Sequence, residues 1–136
     1  MAKVAFSLVM PERELASTEA DMVIVPGGDG DFGVLPGHIP MISTVRPGVI
    51  EVQDGGKTTA RYMVAGGFAE VTRERCTVLA EEAQPFEAVS AEQLARRLRD
   101  AQEKLAEASA SARPAAERAV DVAHDLQRAY AYYAAR

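Results

Sequence analysis

The sequence has few of the residues that build disulfides and metal centres. Its 136 residues include one cysteine, Cys76, and two histidines, His38 and His124, and the three stand far apart along the chain. A single cysteine excludes an internal disulfide, and scattered ligands do not predict a zinc centre. Because Cys76 lies in "RCTVLAE", a stretch typical of a strand, we predict a buried structural thiol.

Long apolar runs and basic clusters are also missing. The opening Met1-Ala2-Lys3 leads directly into an alternating pattern, with no signal-peptide core and no apolar stretch of about 18 residues. Residues 1–89 carry 7 Lys+Arg and 13 Asp+Glu, while residues 90–136 carry 8 and 7. Such a charge balance disfavours nucleic acid and anionic lipid as partners. We therefore expect protein partners and no direct insertion into lipid.

The first part of the chain has the pattern of short strands separated by turns. The pattern runs from Val4 to about Ala83; "VAFSLVM" alternates, and "MVIVPGG" is expected to end in a break at Pro-Gly-Gly. Two hairpins are predicted, turning at Asp54-Gly55-Gly56 and at Thr72-Arg73-Glu74. Many short strands with frequent turns predict an antiparallel sandwich or barrel.

After Pro85 the sequence becomes helical. Ser90 and Gln93 have the spacing of a capping box, residues 90–136 contain no glycine, and Arg113-Pro114 interrupts the pattern. Apolar residues at helical spacing form two stripes: Leu94, Leu98, Ala101, Leu105, Ala108 and Ala112, then Ala116, Ala119, Ala123, Leu126, Tyr130 and Tyr133. We predict an α+β chain, with an N-terminal antiparallel β-sandwich or barrel over residues 1–86 and a C-terminal antiparallel two-helix hairpin over residues 87–136.

Alanine occupies half or more of the positions in these stripes. A buried alanine methyl contributes far less than a leucine side chain at about 25 cal/mol per Å². We therefore predict helices of high intrinsic propensity whose docking is weak, so that the hairpin could leave the sandwich at a cost of a few kcal/mol. The alternative is an ordinary docked pair of helices.

The segment "GDGDFGVLPGHIP" matches G-x-G-x-x-G, the spacing of a dinucleotide-binding loop. That loop must lead into a helix, whereas Pro36, Gly37 and Pro40 follow here, and Asp29 and Asp31 would repel a phosphate. An EF-hand is excluded because a glycine takes the third ligand position. We interpret these glycines as turn residues and predict no cofactor and no metal.

No catalytic residue is predicted. His38 has no candidate nucleophile and is interpreted as a loop histidine, and Glu81-Glu82 is interpreted as a solvated strand end. The sequence supports no enzyme activity of its own.

At this segment the chain resembles the epsilon subunit of bacterial F-type ATP synthases. The resemblance is most specific in the run Gly30-x-x-Gly33-Val34-Leu35-Pro36-Gly37-His38-x-Pro40, followed by Pro47-Gly48. It extends upstream to "VMPERELASTEADMVIVPG" and downstream to "VAGGFAEV" and "CTVLAEEA", so that it spans essentially the whole chain.

The resemblance implies a sandwich of two five-stranded sheets that binds the gamma subunit and the c-ring. The chain would then be a non-catalytic rotor subunit of the central stalk, which couples proton translocation to ATP synthesis. It would lie peripherally at the cytoplasmic face of the bacterial inner membrane. Residue by residue, the resemblance implies that Asp31 faces the ring and that His38 contacts the stalk.

The resemblance also implies a regulatory hairpin that extends toward the beta and alpha subunits and inhibits ATP hydrolysis. We expect weak inhibition, since acidic residues of the second helix offset its basic ones: Glu117, Asp121 and Asp125 against Arg118, Arg128 and Arg136. Members that bind ATP carry an Asp-x-x-Arg motif at the start of the first helix. Ser90 and Gln93 occupy these positions here, so we expect no ATP binding.

A second hypothesis comes from a different functional class. The same architecture would suit a free-standing sandwich adaptor that binds another protein through its helical hairpin. Co-purification with a gamma subunit distinguishes the two hypotheses.

Overall fold

The computed structural model describes residues 2–136; Met1, with which the predicted sandwich domain begins, lies outside them. Close contacts divide the chain into two units, Met1–Phe86 and Glu87–Arg136. We refer to them as the sandwich and the hairpin. Among residues 2–136, no helix is both long enough and apolar enough to span a bilayer.

The sandwich contains ten strands and the hairpin two helices. The strands are β1 Val4–Val9, β2 Glu14–Ala20, β3 Met22–Gly27, β4 Gly30–Val34, β5 Met41–Val45, β6 Gly48–Asp54, β7 Lys57–Val64, β8 Gly67–Val71, β9 Arg75–Ala80 and β10 Ala83–Pro85. A short 3₁₀ turn, Phe86–Ala88, precedes the helices α1 Ala91–Glu107 and α2 Arg113–Ala134. This element order confirms the predicted α+β class.

The strands form two groups of five, as the family resemblance implied. One group runs β10-β7-β6-β3-β4 and the other β5-β8-β9-β1-β2. A single residue pair, Gly27 with Val45, joins β3 to β5 and makes the two groups continuous. The sandwich is not wholly antiparallel, because β1 and β9 pair in parallel. These strands are far apart in the chain, so no hairpin connection forces them to run in opposite directions.

The core lies between the two groups of strands and is filled by alternating residues. In β1 every second side chain is buried, and β1 faces β3 while β2 faces β6. A fully buried side chain of this size contributes about 1.5–3 kcal/mol through removal of its apolar surface from water. The largest fully buried side chains are Phe6, Leu8, Ile50, Val4, Val23, Val25, Val34, Val52, Val64, Val71 and Val78.

Both hairpins predicted from turn residues are confirmed. β6 and β7 pair on either side of Gly55 and Gly56, whose φ angles are 64° and 80°. β8 and β9 are joined by a tight turn in which the Thr72 amide donates to Arg75 O at 2.8 Å. The residue types of these turns are sufficient to place them, because each turn is closed by local contacts.

The predicted break at Pro26-Gly27 is wrong. Both residues belong to β3, and β4 continues from Gly30 through Gly33, so these glycines are strand residues and not only turn residues. Pro26 is tolerated because its carbonyl, rather than the missing amide, is used: it accepts from the Arg46 amide at 2.9 Å. Pairing with partners distant in the chain overrides the local preference for a turn.

An ionic cluster ties the beginning of β1 to two neighbouring turns. Lys3 Nζ lies 3.1 Å from Asp21 Oδ1 and also pairs with Asp54, while the Gly55 amide donates to Asp21 Oδ2 at 2.8 Å. The Gly55 amide, with Lys3 second, lowers the pKa of Asp21 below its ordinary 3.8. Hydrogen bonds to Asp54 and Asp21 raise the pKa of Lys3 above its ordinary 10.5.

These shifts predict the pH dependence of stability. Because folding lowers the Asp21 pKa, the carboxylate stabilises the sandwich above pH 3.8 and loses this contribution as the pH falls through the folded-state pKa. Lys3 contributes below pH 10.5 and loses its contribution as the pH rises through its raised pKa. Asp21→Asn is therefore expected to lower the melting temperature by a few degrees near neutral pH, and the difference from the native chain should vanish in strong acid.

Circular dichroism melts between about pH 2 and pH 8 measure this difference. Glu19→Gln, at an exposed position two residues earlier, is the matched control and should show no such convergence. A difference between the Asp21→Asn and native chains that stays constant over the whole range would contradict the prediction.

The helical hairpin begins with the predicted capping box. Ser90 Oγ accepts from the Gln93 amide at 3.1 Å, and the Ser90 amide donates to Gln93 Oε1 at 3.4 Å. α1 and α2 pack against each other and are joined by residues 108–112. Three predicted stripe positions are wrong, since Ala108 and Ala112 lie in this joint and Ala119 is exposed, with Val120 half-buried beside it.

Candidate functional site

The glycine-rich segment forms a β-hairpin followed by a second turn. Gly28-Asp29 connects β3 to β4, and we call residues 28–31 the tip. β4 ends at Val34, and a turn at Pro36-Gly37 leads toward β5. The last glycine of the G-x-G-x-x-G match thus precedes the end of a strand and no helix, which removes the geometry that a phosphate would need. The segment therefore forms strands and turns where a dinucleotide loop requires a helix.

Asp31 lies on β4 opposite Pro26 and is held by an arginine from the connection between β5 and β6. Its Oδ1 lies 2.5 Å from Arg46 Nη2, and Arg46 Nη1 donates to Gly27 O at 2.7 Å. Arg46 therefore contacts both strands of the tip hairpin. The sequence reasoning missed Arg46, although its position between β5 and Pro47-Gly48 places it beside the predicted family motif.

His38 lies in the turn that follows β4. Its amide donates to Leu35 O at 3.1 Å, and its Nδ1 lies 2.7 Å from Ile39 O, so Nδ1 carries the proton in this contact. The preceding Gly37 amide donates to Arg73 O at 2.7 Å, which anchors the turn to the β8–β9 connection. The prediction of a turn-forming loop histidine agrees with these contacts.

Asp31 and His38 do not form one site. β4 separates them, and at about 3.3 Å per residue its length places the tip and the His38 turn at opposite ends of the strand. The tip lies near Val45 and Gly67, whereas the His38 turn lies near the β8–β9 connection. Any partner that contacts both residues must therefore extend along β4, or two different partners contact one residue each.

The outer face of the second group of strands carries three large exposed apolar side chains, which the sequence analysis did not identify. Ile42 on β5, Phe68 on β8 and Leu79 on β9 are 74%, 57% and 54% exposed. Phe68 and Leu79 are directly opposite each other, and the half-buried Val9 of β1 is opposite Leu79. Ile42 is opposite Glu70, the next outward position on β8 after Phe68. We call Ile42, Phe68 and Leu79 the apolar face.

A signal for the apolar face is present in the sequence. β8 and β9 carry apolar residues on both sides of the strand. In "RCTVLA", for example, Cys76, Val78 and Ala80 are buried, while Leu79 points outward. A strand that is apolar on both sides is typical of burial on both faces. An adjacent cluster of large exposed apolar side chains marks a protein interaction surface.

The titratable groups do not assemble into a reactive centre. Cys76 is fully buried, as predicted, and desolvation raises the pKa of its thiol to about 12. A thiol with such a pKa is neutral at physiological pH and a poor nucleophile. No group of three or more His, Cys, Asp and Glu side chains within residues 2–136 has a metal-binding arrangement. Ser90 and Gln93 use their side chains in the capping box of α1.

A β-sandwich with an exposed apolar sheet face and a following helical hairpin defines a protein-docking subunit of a larger assembly. Comparison with known proteins identifies the assembly. Residues 3–86 match the family model described as the ATP synthase, Delta/Epsilon chain, beta-sandwich domain. The chain therefore belongs to the ATP synthase epsilon chain family, and the resemblance recognised in its sequence is confirmed.

Individual relatives cover most of the chain. It is 54% identical over 110 residues to the ATP synthase epsilon chain of Rhodospirillum rubrum, which covers 81% of this chain and 82% of the relative. The corresponding protein of Paramagnetospirillum magneticum is 55% identical over 106 residues, 78% of this chain and 80% of the relative.

A solved structure shows a similar fold. The match is a chain of the Euglena gracilis mitochondrial ATP synthase, from a cryo-EM structure comprising OSCP, F1 and the c-ring. The TM-score is 0.77 with 27% sequence identity, covering 95% of this chain and 82% of that chain.

Proposed function

We propose that the chain is a non-catalytic subunit of the central stalk, in which it couples proton translocation to ATP synthesis. The observation that carries this proposal is the apolar face on a ten-stranded sandwich that belongs to the ATP synthase epsilon chain family. A rigid sandwich with an apolar binding surface is suited to transmit torque between two partners, because transmitting force requires no chemical reaction in the chain itself.

The sandwich offers a different surface to each of two partners. The apolar face binds the gamma subunit, since its three large side chains provide the apolar anchors that protein interfaces require. The tip of the β3–β4 hairpin contacts the c-ring, with Asp29 exposed there and Asp31 on the ring-facing hairpin paired with Arg46. His38, at the other end of β4, contacts the stalk. The chain then lies peripherally at the cytoplasmic face of the bacterial inner membrane.

The helical hairpin is a mobile regulatory element in this proposal. Only four residues of its two helices are buried: Leu94, Ala101, Ala123 and Leu126. Two of them are alanines, so the apolar surface that must be re-exposed when the hairpin rearranges is small. An extended hairpin would reach the beta and alpha subunits. Its mixed charge limits inhibition, as the Asp125–Arg128 pair on α2 illustrates.

Reconstitution tests the coupling role. ATP synthase depleted of this subunit is assayed for ATP hydrolysis and for ATP-driven proton pumping in vesicles, before and after the chain is added back. Restored pumping per ATP hydrolysed supports the proposal. Full coupling without the chain, or a chain that stays monomeric when mixed with gamma, would overturn it; the latter result would favour the free-standing adaptor.

Truncation separates the roles of the two units. A chain ending at Phe86 is expected to unfold cooperatively and to bind gamma with an affinity within about threefold of that of the full chain, because the sandwich core is built from residues of the sandwich alone. In the reconstituted enzyme it should still restore pumping. Thermal melts and gel filtration with gamma measure this outcome, and a non-cooperative melt would contradict it.

A further inference from the structure

The tip of the β3–β4 hairpin lies where the first group of strands meets the second. β3 leaves β6 and meets β5 through the single pair of Gly27 with Val45. Backbone contacts reinforce this crossing, since the Gly28 amide donates to Thr44 O at 2.9 Å and the Arg46 amide donates to Pro26 O at 2.9 Å. The base of the tip is thereby fixed on β5.

The tip itself extends beyond these backbone contacts. β4 pairs with β3 along one of its edges, and its side chains Phe32 and Val34 pack in or against the core. Toward the turn, residues 29–31 are exposed, and Gly30 has a φ of 140° with no atom within 4 Å of an added Cβ. Residues 29–31 thus have little side-chain packing, and Gly30 and Asp31 are held by their strand pairing with Gly27 and Pro26.

Arg46 adds a side-chain constraint on the conformation of the tip. One guanidinium nitrogen donates to Gly27 O at 2.7 Å and the other lies 2.5 Å from Asp31 Oδ1, so the rigid planar group spans the two strands of the hairpin. The side chains of Arg46 and Asp31 are 43% and 47% exposed, and an ion pair at such exposure contributes little to global stability. Its consequence is local order, because the fork geometry of arginine determines direction as well as distance.

The geometry points to Arg46 as a positioning residue that holds the tip in register, with Asp31 acting as the anchor for this arginine. Asp31 therefore does not serve as an unpaired charge offered to the c-ring. The partner of the tip is taken from the proposed function, on which this part of the inference rests. The contacts of Arg46 with Gly27 O and Asp31, which we call the clamp, are a property of the isolated chain. Exposed backbone and Asp29 remain for the ring contact.

Hydrogen exchange on the isolated full chain tests the clamp. Arg46→Ala and Asp31→Asn are each expected to increase amide exchange at residues 29–33 by about tenfold, with the remaining strands unchanged. The double variant should show no further increase, because both substitutions remove one interaction. Arg13→Ala, at an exposed arginine of the β1–β2 connection, is the control. Unchanged exchange in Arg46→Ala, or additive effects, would overturn the clamp.

Coupling measurements test what the clamp does. In the reconstituted enzyme, Arg46→Ala and Asp31→Asn should reduce proton pumping per ATP hydrolysed by about half or more, and the dissociation constant for gamma should stay within about twofold. The exchanged pair Asp31→Arg with Arg46→Glu should recover part of the pumping. A direct ring contact of Asp31 predicts instead that Asp31→Asn loses coupling while Arg46→Ala retains it, and that the exchanged pair loses more coupling than Asp31→Asn alone. If the native chain itself restores no coupling, the proposed function fails. The hydrogen-exchange experiment on the isolated chain still shows whether the clamp exists.

Discussion

Phe68→Asp is expected to weaken binding to the gamma subunit by at least about 100-fold, or about 2.7 kcal/mol, while the chain remains folded. Phe68 lies in the middle of the apolar face and is paired with Leu79 on one side and Thr44 on the other. An aspartate there would lose the apolar contact and would have to be buried, unpaired, in the interface. The fold is spared because Phe68 is already more than half exposed.

Titration calorimetry with purified gamma measures this loss, and Thr58→Asp is the matched control. Thr58 is an exposed residue of β7, which belongs to the other group of strands, so it introduces the same charge on the opposite side of the sandwich. Equal affinity of the Phe68→Asp and native chains would show that gamma binds elsewhere. Loss of binding in both variants would indicate a general effect of negative charge.

Gly67→Ala is expected to destabilise the sandwich by about 3 kcal/mol or more, enough to prevent assembly into the stalk at physiological temperature. Gly67 has a φ of 150°, and a Cβ there would overlap the backbone oxygen of Leu79 and come within 3.0 Å of Ala80 Cα. The obstructing atoms belong to β9, which is paired with β8 on one side and β1 on the other. They cannot move without breaking one of those ladders.

Gly30→Ala separates the two causes of this loss. Gly30 has a similar φ of 140°, but no atom lies within 4 Å of an added Cβ, so the variant measures backbone strain alone, about 1–3 kcal/mol. Urea unfolding of both variants gives the comparison. If Gly67→Ala costs no more than Gly30→Ala, the steric clash with β9 is not the reason that glycine occupies this position.

Local signals accounted for the elements that were predicted correctly. The two tight turns, the Ser90–Gln93 capping box and the change from strands to helices after Pro85 depend on residues within a few positions of one another. Turn and cap energetics are set over that range, so residue type is sufficient to predict them.

Non-local pairing explains the features that were missed. The glycines of "GDGDFG" are predicted as turn residues from local sequence, yet pairing with β3 makes strand residues of Gly30 and Gly33. Arg46 and Asp31 are 15 residues apart. They meet because Gly27 at the end of β3 pairs with Val45 at the end of β5, which places Arg46 beside the β3–β4 hairpin. The apolar face depends on the register of three strands, which places Phe68 opposite Leu79.

Composition, turn chemistry and helical spacing were enough to establish a domain of short strands followed by a helical hairpin, a buried thiol and the absence of a phosphate-binding helix after the glycines, because each follows from short-range preferences. Three features could be identified only from the tertiary structure. They are the parallel pairing of β1 with β9, the contacts of Arg46 with the tip, and the outward cluster of Ile42, Phe68 and Leu79. They are products of strand order and register, and many strand orders are compatible with the same local preferences.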